Sequence, residues 1–131
     1  MPLEVIRRDT VTQSNDSILN GIKRLLGGIS ADYTVFDSEI IDYINNVIST
    51  LSELGVSQAD TFYVNDDSDE WSDFIEDQRL LGFVKIYISQ KVKLYFDPPS
   101  SSIAVDAIQK SIAENEWRIA NYKTNSIKGG N

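Results

Sequence analysis

Apolar side chains recur along the first half of the chain at steps of three and four residues, the spacing of one helix face. One such stripe covers residues 16–27 and stops at Gly27 and Gly28. A longer stripe covers residues 38–54, follows Asp37 as a candidate N-cap, and stops at Gly55. Glycine commonly supplies the left-handed residue that ends a helix. The pattern therefore predicts two amphipathic helices before residue 56.

The helical spacing of apolar residues is lost between residues 56 and 70. The tetrapeptide TFYV at 61–64 favours extended structure, because aromatic and β-branched residues are enriched in strands. Seven acidic residues and no basic residue lie between 66 and 77. We predict an acidic loop or short hairpin here, in which Trp71, Phe74 and Ile75 form one helical turn against the core.

Residues 78–96, QRLLGFVKIYISQKVKLYF, are apolar around most of a helical wheel. A helix of this kind is buried on most faces. In a domain of this size, we expect a partner surface to cover what the chain's own neighbours leave exposed.

Pro98 and Pro99 end this third helix near Phe96, because proline disfavours the α conformation in the residue before it and lacks the helical N–H donor. Serines 100–102 then cap a fourth helix that extends to about residue 122. We therefore predict a mainly α fold, a small helical bundle of about four main helices with an acidic loop or short hairpin between the second and third. The expected organisation is an N-terminal arm (1–15), the helical domain (16–122) and a flexible C-terminal tail (123–131).

Composition narrows the possible functions. The chain of 131 residues fits one domain, and its net charge of −8 argues against grasping nucleic acid, although DNA could still slide past such a surface. Cysteine and histidine are absent, which removes the usual nucleophile, general base and zinc ligands. No apolar run approaches the roughly 20 residues of a membrane span, and we expect a soluble intracellular or particle-associated protein.

The acidic run raises the question of metal binding. Asn65, Asp67, Asp69 and Glu76 fall at the spacing of calcium-loop ligands. Glu70, however, occupies the position where such loops require glycine for a sharp turn. We interpret the acidic run as a solvated loop. We expect the protein to bind no cofactor and not to be an enzyme.

The chain resembles the head–tail connector (adaptor) proteins of tailed bacteriophages. The likeness lies in the order of DSILNGIKRLLGG, DYTVFDSEIIDYINNVISTLSELGV, FYVNDDSDEWSDFIEDQRLLGFVKIYISQKVKLYFDPPSSS and IQKSIAENEWRIAN, over residues 16–122. The resemblance implies a homo-oligomeric ring, typically twelve-fold, beneath the portal in the virion neck, assembled from subunits made in the host cytoplasm. Such a ring extends the DNA channel without sequence-specific binding and docks the next neck or tail-completion protein.

The resemblance also suggests roles for individual residues. Connectors commonly reach the portal through their C-terminal region, which here contains Trp117, Arg118, Tyr122 and Ile127. An acidic loop facing the channel would keep DNA from adhering, and its residues are Asp66, Asp67, Asp69 and Glu70. Neighbouring subunits would cover the third helix, at Phe83, Lys85, Tyr87 and Tyr95.

Three alternatives stay open at this point. The chain could be another neck or packaging accessory protein, such as a stopper. It could be an acidic metal-binding or enzymatic domain, although the missing histidine and cysteine disfavour this. A helix-turn-helix regulator is disfavoured by the charge and by the lack of a basic recognition helix.

Overall fold

The computed structural model describes the backbone of residues 16–130 and the side chains of residues 16–122. Its helices are α1 (Ile18–Leu25), α2 (Asp37–Glu53), α3 (Trp71–Phe74), α4 (Gln78–Phe96) and α5 (Ser102–Gly130), with a 3₁₀ turn at Ser57–Asp60. This confirms the predicted mainly helical bundle with four main helices. The predicted N-terminal arm, residues 1–15, lies outside the described residues.

Helix α4 is the centre of the bundle. It packs against α2 and α5, and to a smaller extent against α1, whereas α2 and α5 make no extensive contact with each other. Phe83, Tyr87 and Gln90 of α4 meet side chains of α5. Tyr95 and Phe96 meet aromatic rings of α2 and its N-cap. At 100° per residue Tyr87 and Tyr95 are less than a quarter turn apart, so α2 and α5 pack against neighbouring sides of α4.

The helix boundaries follow local chemistry. Gly27, Gly28 and Gly55 all have positive φ, as the predicted left-handed stops require. The N-cap of α1 is Ser17, whose Oγ accepts the N–H of Asn20 at 3.2 Å. At the corner after α4, Ser101 Oγ accepts the N–H of Ala104 at 3.3 Å, which confirms a serine cap for α5.

The segment between α2 and α3 is a loop, and the alternative of a hairpin is wrong for the described residues. Both backbone groups of Val64 bond to the side chain of Asn45: Val64 N–H donates to Asn45 Oδ1 at 2.8 Å and Asn45 Nδ2 donates to Val64 O at 2.9 Å. The amide thus replaces a strand partner. The predicted helical turn is confirmed, with Trp71, Phe74 and Ile75 buried in the core.

The α4–α5 interface combines apolar packing with three polar contacts. Tyr87 OH donates to Glu116 Oε2 at 2.7 Å, and Gln90 Nε2 donates to Ser111 Oγ at 2.7 Å. Asn115 Nδ2 completes the set by donating to Gln90 Oε1 at 3.3 Å. These bonds fix the register of α5 against α4, because a shift of the helix would leave buried polar groups unpaired, which costs free energy.

Helix α5 continues to Gly130, beyond the end at residue 122 that its apolar pattern predicted. The backbone of the predicted C-terminal tail is therefore helical up to that residue. The flexibility expected of the tail stays a prediction.

We expect Tyr87→Phe to destabilise the fold by about 1 kcal/mol, because Glu116 would lose its phenolic donor while the ring still fills its site. Burial and the bond to Glu116 raise the pKa of Tyr87. The neutral phenol therefore stabilises the fold fully below the ordinary pKa of about 10, and this contribution is lost as the pH rises above that value.

Urea unfolding at several pH values checks this prediction. Wild-type stability should fall more steeply above pH ~10 than that of the variant. Parallel curves for the two proteins in that range would contradict the assigned contact.

Candidate functional site

The described residues contain exposed apolar surfaces but no group of three or more carboxylates that could hold a metal ion. The candidate site is therefore sought on the surface. Large apolar side chains are exposed at Leu25, Tyr33, Val35, Phe36, Tyr63, Ile86, Tyr95, Ile103 and Trp117.

The loop between α1 and α2 is held by a buried lysine. Lys23 has no exposed surface, and its Nζ lies 2.8 Å from Asp37 Oδ1 and 2.8 Å from the carbonyl oxygen of Tyr33. A third, longer bond of 3.4 Å reaches the carbonyl oxygen of Ala31. All three ammonium donors are thus satisfied, as a buried charge requires. Lys23 lies in the last turn of α1, and its ammonium is directed at the α1–α2 loop rather than at solvent.

The bonds of Lys23 hold in place a surface that was not predicted from the sequence, which we call the aromatic face. It consists of the side chains of Tyr33, Val35, Phe36, Tyr43, Tyr95 and Phe96. The Phe36 and Phe96 rings meet edge to face with centroids 5.3 Å apart, and the Tyr43 and Tyr95 centroids are 5.5 Å apart. The face thus joins the α1–α2 loop, α2 and the end of α4.

Exposed acids surround the aromatic face. Asp32, Glu39 and Asp42 are exposed, and residues 30–53 contain no lysine or arginine. Tyr43 OH donates to Glu39 Oε2 at 3.0 Å, and this bond raises the pKa of Tyr43. The combination of apolar rings with an acidic rim suits a partner that is apolar and carries positive charge.

The acidic loop uses part of its charge to hold its own backbone. Asp69 Oδ2 accepts the N–H groups of Asn65 and Asp66 at 2.7 and 3.1 Å. Asp66 Oδ1 accepts the N–H of Ser68 at 2.8 Å, and the bonds from Ser68 lower the pKa of Asp66. Asp66 and Asp67 are exposed, while Asp69 and Glu70 are half-buried.

The four residues suggested for subunit contacts on α4 have different surroundings. Tyr87 has no exposed surface, because α5 covers it. Phe83 is half-buried against Tyr122, and the ammonium of Lys85 lies 5.3 Å from the Trp71 ring centroid. Tyr95 is exposed. Most of α4 is therefore covered within one chain, and Tyr87 has no surface left for a neighbour.

The C-terminal residues suggested for portal contact lie on or near the outer side of α5. Trp117 is 64% exposed, and Arg118 pairs with Glu114 at 3.1 Å. Tyr122 is half-buried, and its OH donates to Asp77 Oδ2 at 2.7 Å. This bond lowers the pKa of Asp77 and raises that of Tyr122. The side chain of Ile127 lies outside the described residues.

We define the outer face of α5 as Ile103, Ala107, Lys110 and Trp117, which recur at helical spacing on the side away from α4. Ile103 is 81% exposed, although it is a large apolar residue. Lys110 has no ion-pair partner among the described residues. Exposed Glu114 lies on the same side between Lys110 and Trp117, so the face presents apolar groups at both ends and charges of both signs between them.

One shallow cleft adjoins the Tyr122–Asp77 bond. It measures about 210 Å³ and is lined by Gly55, Val56, Ser57, Gln58, Asp77, Leu80, Ile119 and Tyr122. Asp77 is its only charged residue and also caps α4, so the lining offers no acid–base pair. No helix of the described chain is long and apolar enough to cross a membrane.

Comparison with known proteins identifies a family model that the chain matches. A family model described as "Phage connector protein" matches residues 18–126, which spans the helical bundle from α1 into the last turns of α5. No curated protein and no solved structure matches the chain.

Replacing Lys23 with methionine should lower the free energy of unfolding by about 2–3 kcal/mol. The change leaves Asp37 and two loop carbonyls without their donor. Lys110→Met is the matched control: because Lys110 is exposed, we expect a change within about 0.5 kcal/mol. Urea unfolding measures the free energy of unfolding of both variants. Equal effects of the two substitutions would contradict the role of Lys23 in holding the loop.

Within the acidic loop, the two aspartates two residues apart should behave differently. Asp69→Ala removes an acceptor from two backbone N–H groups and should destabilise the fold by about 1 kcal/mol. Asp67→Ala removes an exposed carboxylate with no bond among the described residues and should change stability by less than about 0.5 kcal/mol. Thermal unfolding of both variants tests the difference, and the reverse order would show that the loop is held in another way.

Proposed function

The chain belongs to the phage connector protein family, and from this membership we propose that it forms a ring beneath the portal of a tailed phage. In this position it extends the DNA channel and docks the next neck protein. The observation that carries the proposal is the family match, which covers the whole bundle rather than one motif.

The surface chemistry supports a structural role. Large apolar side chains are exposed on α5 and on the α1–α2 loop. Exposed aromatic and apolar groups of this kind mark protein contacts. A protein that stacks between other virion proteins needs such surfaces at several places.

For the portal contact we propose the C-terminal half of α5, with Trp117, Arg118, Tyr122 and Ile127. The exposed indole of Trp117 supports this assignment, since tryptophan is enriched among residues that dominate binding energy. The bond from Tyr122 to Asp77 holds this part of α5 against the start of α4. Residues after Tyr122 then continue the same helix toward the partner.

For the channel wall we propose the acidic loop, with Asp66, Asp67, Asp69 and Glu70. Its exposed charge resides on Asp66 and Asp67, while Asp69 secures the backbone that presents them. Negative charge along the wall repels the phosphate backbone, which lets DNA pass without being held.

Electron microscopy of portal particles incubated with the purified chain tests this function. We expect an added ring of density on one end of the portal, in a position continuous with its channel. Trp117→Ala should weaken binding at least about tenfold, because it removes a large anchor. Tyr63→Ala removes an exposed aromatic residue from another part of the surface and serves as the control.

Two outcomes would count against the proposal. Portal particles without added density at saturating protein would exclude the connector role. A ring whose outer wall carries Asp66 and Asp67 would retain that role but exclude the channel assignment of the acidic loop.

A further inference from the structure

We propose that residues 3–8 of the same chain, LEVIRR, occupy the aromatic face, with their apolar side chains against the rings and their arginines at the acidic rim. The contact lies within one subunit, so it does not depend on the proposed ring. It assigns an occupant to an apolar surface that the described residues leave uncovered.

The aromatic face leaves large apolar side chains in contact with water. Val35 is 69% exposed and Tyr95 is 48% exposed. A shallow hollow of about 400 Å³ adjoins the two tyrosine rings and is lined by Asp42, Tyr43, Asn46 and Tyr95. Contiguous exposed apolar surface with a polar rim is typical of a docking site.

The charge at the rim favours a cationic occupant. Asp32, Glu39 and Asp42 are exposed, and neither α2 nor the loops on its two sides contain a lysine or arginine. The lysines in the last turns of α1 and α4 are already paired with Asp37 and Asp97. An apolar segment that brings its own positive charge is therefore complementary to this surface.

Residues 3–8 combine these two properties in one short stretch. Leu3, Val5 and Ile6 are apolar, and Arg7 and Arg8 follow them directly. Arginine suits a surface of rings and carboxylates, because its planar guanidinium stacks on aromatic faces and bonds carboxylates through two N–H groups.

The segment is attached close enough to reach the face within one chain. Arg8 precedes Asp16 by eight residues, which span up to about 26 Å when extended. Helix α1, also of eight residues, is only about 12 Å long. The loop with the aromatic face lies one lysine side chain from the last turn of α1, because Lys23 Nζ bonds the carbonyl oxygen of Tyr33 at 2.8 Å. Such a tether gives the segment a local concentration that a separate chain lacks.

An unpaired acceptor lies along this route. Asn20 is only 9% exposed, and its Oδ1 is buried and accepts no hydrogen bond from the residues that the structure describes. Buried acceptors in native proteins almost always have a donor. Asn20 lies one turn before Lys23 on the same side of α1, between the start of the helix and the loop. A backbone N–H of a segment passing along this side would supply the donor.

Paired cysteines in the full-length chain test the contact directly, because the chain has no cysteine of its own. Two variants combine Val35→Cys with either Leu3→Cys or Ile6→Cys. The controls combine Tyr63→Cys with the same two changes, since Tyr63 is 59% exposed and thus similar in access to Val35. The effective concentration of each thiol pair is measured from its disulfide equilibrium with glutathione, with the protein at micromolar concentration.

We expect at least one Val35→Cys pair to exceed its Tyr63→Cys control about tenfold, as a monomeric disulfide. Equal values for the Val35→Cys pairs and their controls would overturn the proposal. Disulfide-linked dimers in place of monomers would show that a second copy supplies the segment, and they would overturn the contact within one chain.

The charge pairing has its own test in the Val35→Cys pairs. Replacing Arg7 and Arg8 together with glutamine should lower the effective concentration about fivefold, because two exposed ion pairs with the rim are lost. Glu4→Gln combined with Asp9→Asn is the matched control, since it removes two charges of the opposite sign from the same segment. The control should not lower the effective concentration, and an equal or larger fall in it would contradict the proposed orientation of the arginines.

Discussion

The hydrogen bonds of the Lys23 ammonium are the interactions on which the aromatic face depends. A fully buried cation is tolerated only where its donors are paired, and here Asp37 and two loop carbonyls provide the partners. The same three bonds tie the end of α1, the irregular loop and the start of α2 into one unit. The exposed side chains of Tyr33, Val35 and Phe36 therefore stand on a rigid support, although the loop has no regular secondary structure.

Helix α4 is covered within one chain to a greater extent than its composition suggested. Its apolar residues led us to expect that neighbouring subunits would cover it, yet α2 and α5 cover most of it within one chain. Tyr87 illustrates the reason: its ring is buried by α5 and its hydroxyl is satisfied by Glu116. The apolar side chains that one chain leaves most exposed are instead Val35 in the α1–α2 loop and Ile103 and Trp117 on α5.

The sequence predicted regular structure well because apolar spacing, glycine stops and the two prolines act locally. Helix α4 has the predicted bounds, and α2 begins one residue early, at Asp37. The burial of Lys23 could not be predicted, because a lysine in a last helical turn has the same sequence pattern whether it faces water or a distant carboxylate. Its partner Asp37 and the Asn45–Val64 pair join residues far apart in sequence, which no periodicity reveals. Ile103 is apolar but lies on the side of α5 away from α4, and it therefore stays exposed.

The acidic residues between α2 and α4 combine two roles that are usually separate. Hydrogen bonds from Ser68 lower the pKa of Asp66, and those from Tyr122 and backbone N–H groups lower the pKa of Asp77. Such bonds favour the ionised form, so a carboxylate that holds the backbone also keeps its negative charge. Holding the backbone therefore does not reduce the negative charge of this loop. In the channel position proposed above, Asp66 would contribute both to the repulsion of DNA and to the order of the loop, because its exposed carboxylate also accepts the N–H of Ser68.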